Sequence, residues 1–157
     1  MMNKTIEEIV VEKLIEKKAT VSTAESCTGG LVAATLVNVA GVSSAFCEGY
    51  ITYSNDAKEK LLGVSKETLK KYGAVSSETA YEMAYGCAKA ANSDYAVVTT
   101  GIAGPDGGTA EKPVGLVYIG CYADEKVYTI KCRFDGTRLQ IRETAAKRAL
   151  EFLNEHM

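Results

Sequence analysis

The sequence has a single histidine, His156, beside its end. That scarcity excludes triads built on an imidazole and metal sets rich in histidine. Acid–base chemistry must then come from Lys, Tyr, Glu or Asp. Cysteine is present but scattered: Cys27, Cys47, Cys87, Cys121 and Cys132 form no Cys-x-x-Cys pair and are odd in number. This excludes a disulfide framework and suits thiols kept reduced in a cytoplasm. No apolar run is long enough to cross a bilayer, and the charged start Met1-Met2-Asn3-Lys4-Thr5-Ile6-Glu7-Glu8 is no signal peptide. Neither sign of charge dominates. The net charge of −2, mixed along the chain, leaves no electrostatic footprint for DNA or RNA. Repeats, low-complexity tracts and linkers are missing too. What is present is an ordinary globular composition, 46% apolar over 157 residues, which suits one domain over residues 1–157.

Hydrophobic spacing predicts helices alternating with strands. Ile6, Ile9, Val10, Leu14 and Ile15 recur at helical spacing from about Thr5 to Lys17. Thr20 to Thr23 is β-branched and predicts a strand, followed by a buried helix from about Thr28 to Asn38. Glu48 to Tyr53 alternates like a strand. Ser54-Asn55-Asp56 caps a short helix from Ala57 to Leu62. A second short helix follows Ser65 and stops at Gly73. A longer one opens at Ser76-Ser77-Glu78-Thr79, with Ala80, Met83, Ala84, Cys87 and Ala88 on a face suited to tight packing on a sheet. Tyr95 to Thr100 and Val114 to Cys121 are apolar throughout, as buried strands are. Val127 to Phe134 alternates, as an antiparallel strand near an edge does. The last helix follows Asp135-Gly136-Thr137 and buries Ile141, Ala145, Ala149, Phe152 and Leu153. The expected fold is a single-domain α/β/α sandwich in three layers, with a mostly parallel sheet and one antiparallel strand.

Two glycine-rich loops follow strands in this scheme, at Glu25–Gly30 and Thr100–Gly108. In parallel sheets ligands sit at the carboxyl ends of strands, so one pocket can be lined by both loops. Gly29 and Gly30 allow close backbone approach, and Ser26 and Thr28 either cap the next helix or donate to an anion. Neither loop matches a phosphate-binding P-loop or a dinucleotide fingerprint. As a pair they favour a small anionic ligand. Ser43, Tyr53 and Lys58 form a second constellation. Lys58 falls in the first turn of a helix, where the dipole disfavours a cation, so its amine can act as a base for a serine. The plainer alternative makes Lys58 a solvated lysine, Ser43 a turn residue and Tyr53 a core side chain. Arg138 and Arg142, one turn apart at a helix start, read either as phosphate or carboxylate ligands or as surface ion-pair partners. Cys27 has no histidine to activate it and reads as buried filler.

The segments Ala24-Glu25-Ser26-Cys27-Thr28-Gly29-Gly30, Tyr53-Ser54-Asn55-Asp56-Ala57-Lys58 and Gly73-Ala74-Val75-Ser76 occur in order. They are followed by Thr100-Gly101-Ile102-Ala103-Gly104-Pro105-Asp106-Gly107-Gly108, Lys112-Pro113-Val114-Gly115 and Phe134-x-Gly136-x-Arg138. From about Ile6 to Leu153 the chain resembles the nicotinamide-nucleotide amidase family, also found as the C-terminal domain of CinA (competence- and damage-inducible) proteins, here in a stand-alone form. The resemblance implies hydrolysis of the carboxamide of nicotinamide mononucleotide to nicotinate mononucleotide and ammonia, a step of pyridine-nucleotide salvage. It places the nucleophile on Ser43, two residues after Gly41, with the adjoining Ser44 as the alternative, and the assisting groups on Tyr53 and Lys58. Substrate binding is expected from Glu25, Ser26, Thr28, Gly29, Gly30, Thr100, Gly101, Gly104 and Arg138, with Arg142 beside it. No metal and no cofactor is implied. The expected partner is a small nucleotide, with no nucleic acid or membrane, in a homo-oligomer. A non-catalytic nucleotide-sensing domain is the rival, and intact Ser43, Tyr53 and Lys58 argue against it.

Overall fold

The computed structural model describes residues 3–157. Its elements, in chain order, are α1 (Ile6–Lys17), β1 (Val21–Glu25), α2 (Leu31–Leu36), β2 (Phe46–Ile51), α3 (Asn55–Leu62), α4 (Lys66–Tyr72), α5 (Ser77–Ala91), β3 (Tyr95–Gly101), β4 (Leu116–Ala123), β5 (Lys126–Arg133) and α6 (Arg138–Glu155). The five strands form one sheet in the order β2-β1-β3-β4-β5. β1 pairs parallel with both β2 and β3, while β3–β4 and β4–β5 are antiparallel. Four strands therefore point one way, and β4 alone runs against them. β5 lies at the edge, as its alternation predicts.

Side chains alternate across the strands and divide the interior into two halves. Val21, Val97, Val117, Ile119 and Cys121 pack with Val10, Leu14, Leu36, Ile141, Leu150 and Leu153 on the side of α1, α2 and α6. Ala24, Ala96, Val98 and Tyr122 pack with Leu62, Leu69, Met83, Ala84 and Cys87 on the side of α3, α4 and α5. This is the expected three-layer sandwich. The small face of α5 does pack tightly: a Cβ on Gly120 of β4 would lie 2.6 Å from the Ala80 carbonyl oxygen. Hydroxyl caps start most helices, with Thr5, Ser54, Ser65, Ser76 and Thr137 each accepting a backbone N–H.

Several elements differ from their predicted limits by about two residues, β4 at Leu116–Ala123 among them, and two of the differences bear on the site. The helix expected from Thr28 to Asn38 is regular only over Leu31–Leu36. Gly29 (φ +58°) and Gly30 (φ +110°) hold the chain in left-handed backbone that a right-handed helix does not admit. The strand expected over Glu48–Tyr53 lies two residues earlier, because its register follows β1, with Glu25 opposite Ile51.

Candidate active site

The parallel strands β1, β2 and β3 end on the same edge of the sheet. The segments that follow them, at Ser26, Thr52–Tyr53 and Gly101–Gly104, therefore meet there. A cavity of about 260 Å³ opens between them, lined among others by Ser26, Cys27, Tyr53, Lys58, Thr100 and Arg138. Larger hollows lie elsewhere, among them one at the opposite end of the sheet around Lys17, Asp94 and Tyr122 and an apolar groove between α1, α2 and α6.

Lys58 is the decisive side chain. It sits in the first turns of α3, capped by Ser54, and points inward with 1% of its surface exposed. Its Nζ donates to Ser26 Oγ at 3.0 Å, to the Thr52 carbonyl at 2.8 Å and to the Tyr53 carbonyl at 3.5 Å. No carboxylate pairs with it among the described residues. Burial therefore disfavours the ammonium form and pushes the amine down from the ordinary 10.5 to about 8. The helix dipole acts in the same direction. A neutral amine has two N–H donors and one lone pair, which matches two carbonyls and one hydroxyl. The plainer reading of Lys58 as a solvated lysine is thus replaced by a buried, poised amine.

The serine beside it is Ser26 and not Ser43. Ser43 lies in a single 3₁₀ turn, Val42–Ser44, at the start of β2, whereas Lys58 follows the end of that strand. Six extended residues, roughly 20 Å at about 3.3 Å each, separate the two ends. Ser44 is no nearer; its hydroxyl donates to the Gly41 carbonyl. The sequence shows that Ser26 follows a strand, and the pairing of that strand with β2 is what selects it. Ser26 follows a strand parallel to β2, and so shares its edge with Tyr53 and Lys58.

Tyr53 reaches the cavity but does not touch the amine through its phenol. The ring is 61% exposed, and its hydroxyl accepts from Arg138 at 3.1 Å. It is therefore neither a core residue nor, in this arrangement, a relay between Lys58 and a serine. Arg138 also donates to the Gly104 carbonyl at 2.7 Å and so ties the β2–α3 segment to the β3–β4 loop. Thr100 and Gly101 line the cavity floor, with the Thr100 hydroxyl donating to the Ala74 carbonyl.

Several predicted ligand residues are occupied by the fold itself. The carboxylate of Glu25 is buried and accepts from the Val32 and Ala33 N–H groups at 2.8 and 3.1 Å and from the Thr28 hydroxyl at 2.6 Å. An internal anion thus takes the start of α2, the place where the sequence suggests an external one. Thr28 is consumed by this network, since it donates to Glu25 and accepts from Thr99 at 2.7 Å. Gly29 and Gly30 shape the turn without lining the cavity. Arg142 turns to the same loop and donates to the Cys27 and Thr28 carbonyls, both at 3.0 Å, so it braces the turn. Cys27 does line the cavity, yet burial pushes its thiol up to about 11, which rules out a thiolate near neutral pH. Asp106, Ala74 and Val75 line the cavity too; they lie within the recognised motifs but are not among the expected site residues. Among the described residues, no three His, Cys, Asp or Glu side chains converge as a metal-holding group.

A family model described as the CinA C-terminal domain matches residues 3–157. The chain belongs to the CinA C-terminal domain family. A CinA-like protein from Kosmotoga olearia is 60% identical over 149 residues, which cover 95% of this chain and 36% of the relative. The chain spans little more than a third of the length of such curated relatives. Among solved structures, the competence/damage inducible protein CihA from Agrobacterium tumefaciens is 43% identical, with a TM-score of 0.89 over 99% of this chain and 98% of its own. A CinA superfamily protein from Escherichia coli is 32% identical, with a TM-score of 0.93 over 97% and 88% of the two chains. No described helix is long and apolar enough to cross a membrane.

Proposed function

We propose that this member of the family is an amidohydrolase acting on the carboxamide of nicotinamide mononucleotide, with Ser26 as nucleophile and Lys58 as its base. The observation that carries the reading is the buried amine, held at about 8 and in hydrogen-bond contact with a serine hydroxyl. Serine–lysine pairs are an accepted replacement for a histidine triad. Neutral Nζ accepts the Ser26 proton while Oγ attacks the carboxamide carbon. The tetrahedral intermediate collapses, the C–N bond breaks, and the departing nitrogen takes the proton from Nζ and leaves as ammonia. Water, deprotonated by the same amine, then attacks the ester carbon. The Ser26 Oγ–C bond breaks, Oγ recovers its proton, and nicotinate mononucleotide departs. In this reading, backbone N–H groups of the turn after Ser26 hold the developing oxyanion.

The cavity volume suits a ring with its carboxamide, leaving ribose and 5′-phosphate at the mouth. There Arg138 has further N–H groups to offer a phosphate, and the β3–β4 loop offers backbone. With the α2 amides satisfied by Glu25, phosphate recognition shifts from the first loop to this second one. Tyr53, held by Arg138, lies beside both. Remote binding energy of this kind orients the reacting amide.

The test is ammonia release from the mononucleotide by purified protein. Ser26→Ala lowers turnover by about three orders of magnitude or more, and Ser43→Ala leaves it within about twofold. Full turnover by Ser26→Ala refutes the mechanism. Tight binding without turnover by the unaltered protein moves the chain to a sensing role.

A further inference from the structure

The cavity carries one ionised side chain that the reaction above leaves without a task. Asp106 lines it from the β3–β4 loop. Among the described residues it has no ion-pair partner within 4.0 Å and no side-chain hydrogen bond. The obvious partner is close at hand and bound elsewhere: Arg138 gives its donors to the Gly104 carbonyl and the Tyr53 hydroxyl. The loop that bears the carboxylate is pinned at both ends, by Ile102 N–H to the Leu116 carbonyl at 2.9 Å and Gly115 N–H to the Ile102 carbonyl at 2.8 Å. Within it, Thr109 N–H and the Lys112 carbonyl close a turn at 2.8 Å. An exposed carboxylate and an arginine held by two hydrogen bonds therefore line one cavity together with Tyr53, with no ion pair between them.

That arrangement is complementary to a ligand that is itself a zwitterion. We infer that Asp106 is a specificity residue that selects nucleotides whose base is a permanently cationic pyridinium ring, while Arg138 takes the phosphate. This rests on the nucleotide reading of the site given above. An oxidised pyridinium carries its positive charge in the ring plane, and a carboxylate at the mouth, next to an aromatic face, attracts it through space. The same ring in its 1,4-dihydro form has identical ribose, phosphate and carboxamide but no charge. The pair isolates the ring charge from the ribose, phosphate and carboxamide contacts, and replacing Asp106 then separates the carboxylate's share from that of the Tyr53 face.

Binding is measured by calorimetry on the Ser26→Ala protein, with oxidised and 1,4-dihydro nicotinamide mononucleotide as probes. With Asp106 in place, the cationic ring binds roughly three- to fivefold tighter at low salt, the scale of a solvent-exposed charge pair. The preference shrinks in 0.5 M salt, as expected for about one screened pair. Asp106→Asn brings the two dissociation constants closer and removes the salt-sensitive part of the difference, and Asp106→Glu restores it. In the Ser26-containing protein, Asp106→Asn raises KM for the cationic substrate more than it lowers kcat. Equal affinities with Asp106 present, or an undiminished preference in Asp106→Asn, overturn the inference. Hydrolysis without a charge preference leaves the amidase reading standing and removes this one. A charge preference without hydrolysis does the reverse.

Discussion

If the proposed amidase reading holds, raising the pH from 6 to 9 should switch ammonia release on through one ionisation, that of Lys58. With the amine at about 8, roughly a tenth of the molecules hold it neutral at pH 7 and half at pH 8. If the neutral amine takes the serine proton, kcat/KM rises about tenfold from pH 6 to 7, about fivefold from 7 to 8, and levels off above 9. Folding responds to the same proton. The unfolded lysine keeps its proton up to 10.5 and the folded one releases it near 8. The unfolded state thus binds more protons between these values, and stability climbs with pH across that window. Below it, the buried ammonium costs the fold about 3 kcal/mol, at about 1.36 kcal/mol per pH unit. Lys58→Met removes this cost but leaves the Thr52 carbonyl and the Ser26 hydroxyl short of a partner, at about 1 kcal/mol each. The substituted protein should be about 1–2 kcal/mol more stable at pH 7 by urea unfolding. Its advantage should shrink as pH passes from 8 to 10.5, while ammonia release disappears. A pH-independent rate from 6 to 9 would falsify the assignment of Lys58 as the base. A stability advantage that does not change with pH would show that the amine is not held down by burial.

The supporting loops give two further tests. Glu25→Ala strips three hydrogen bonds from the start of α2, and should lower stability by about 3 kcal/mol, near 10 °C in Tm for a chain of this size; a melting shift under about 2 °C is incompatible with that capping role. Arg138→Ala and Arg142→Ala should separate cleanly. The first raises KM for the nucleotide about tenfold or more with little change in Tm. The second lowers Tm by several degrees, because the Cys27 and Thr28 carbonyls lose their donor. Equal effects of the two on KM would contradict the division between binding and bracing.

Local information in the chain determined much of this protein. Apolar spacing placed the helices and strands, caps marked where α3, α4, α5 and α6 begin, a β-branched run identified β1 as a strand, and an apolar run identified β3 as buried. The glycine-rich loops after β1 and β3, and a lysine in the first turn of α3, were visible because each is a property of a few adjacent residues. Tertiary structure decided which of these groups meet. Ser26 and Ser43 are both loop serines of the same local type, and only the parallel pairing of β1 with β2 puts the first beside Lys58 and the second a strand length away. It also decided that Glu25 spends its carboxylate on α2, that Arg142 braces a turn while its neighbour Arg138 faces the cavity, and that the phenol of Tyr53 goes to Arg138. For the arginines those outcomes depend on groups brought together from 34 to 115 residues apart, and neither spacing nor composition encodes a distance across the fold.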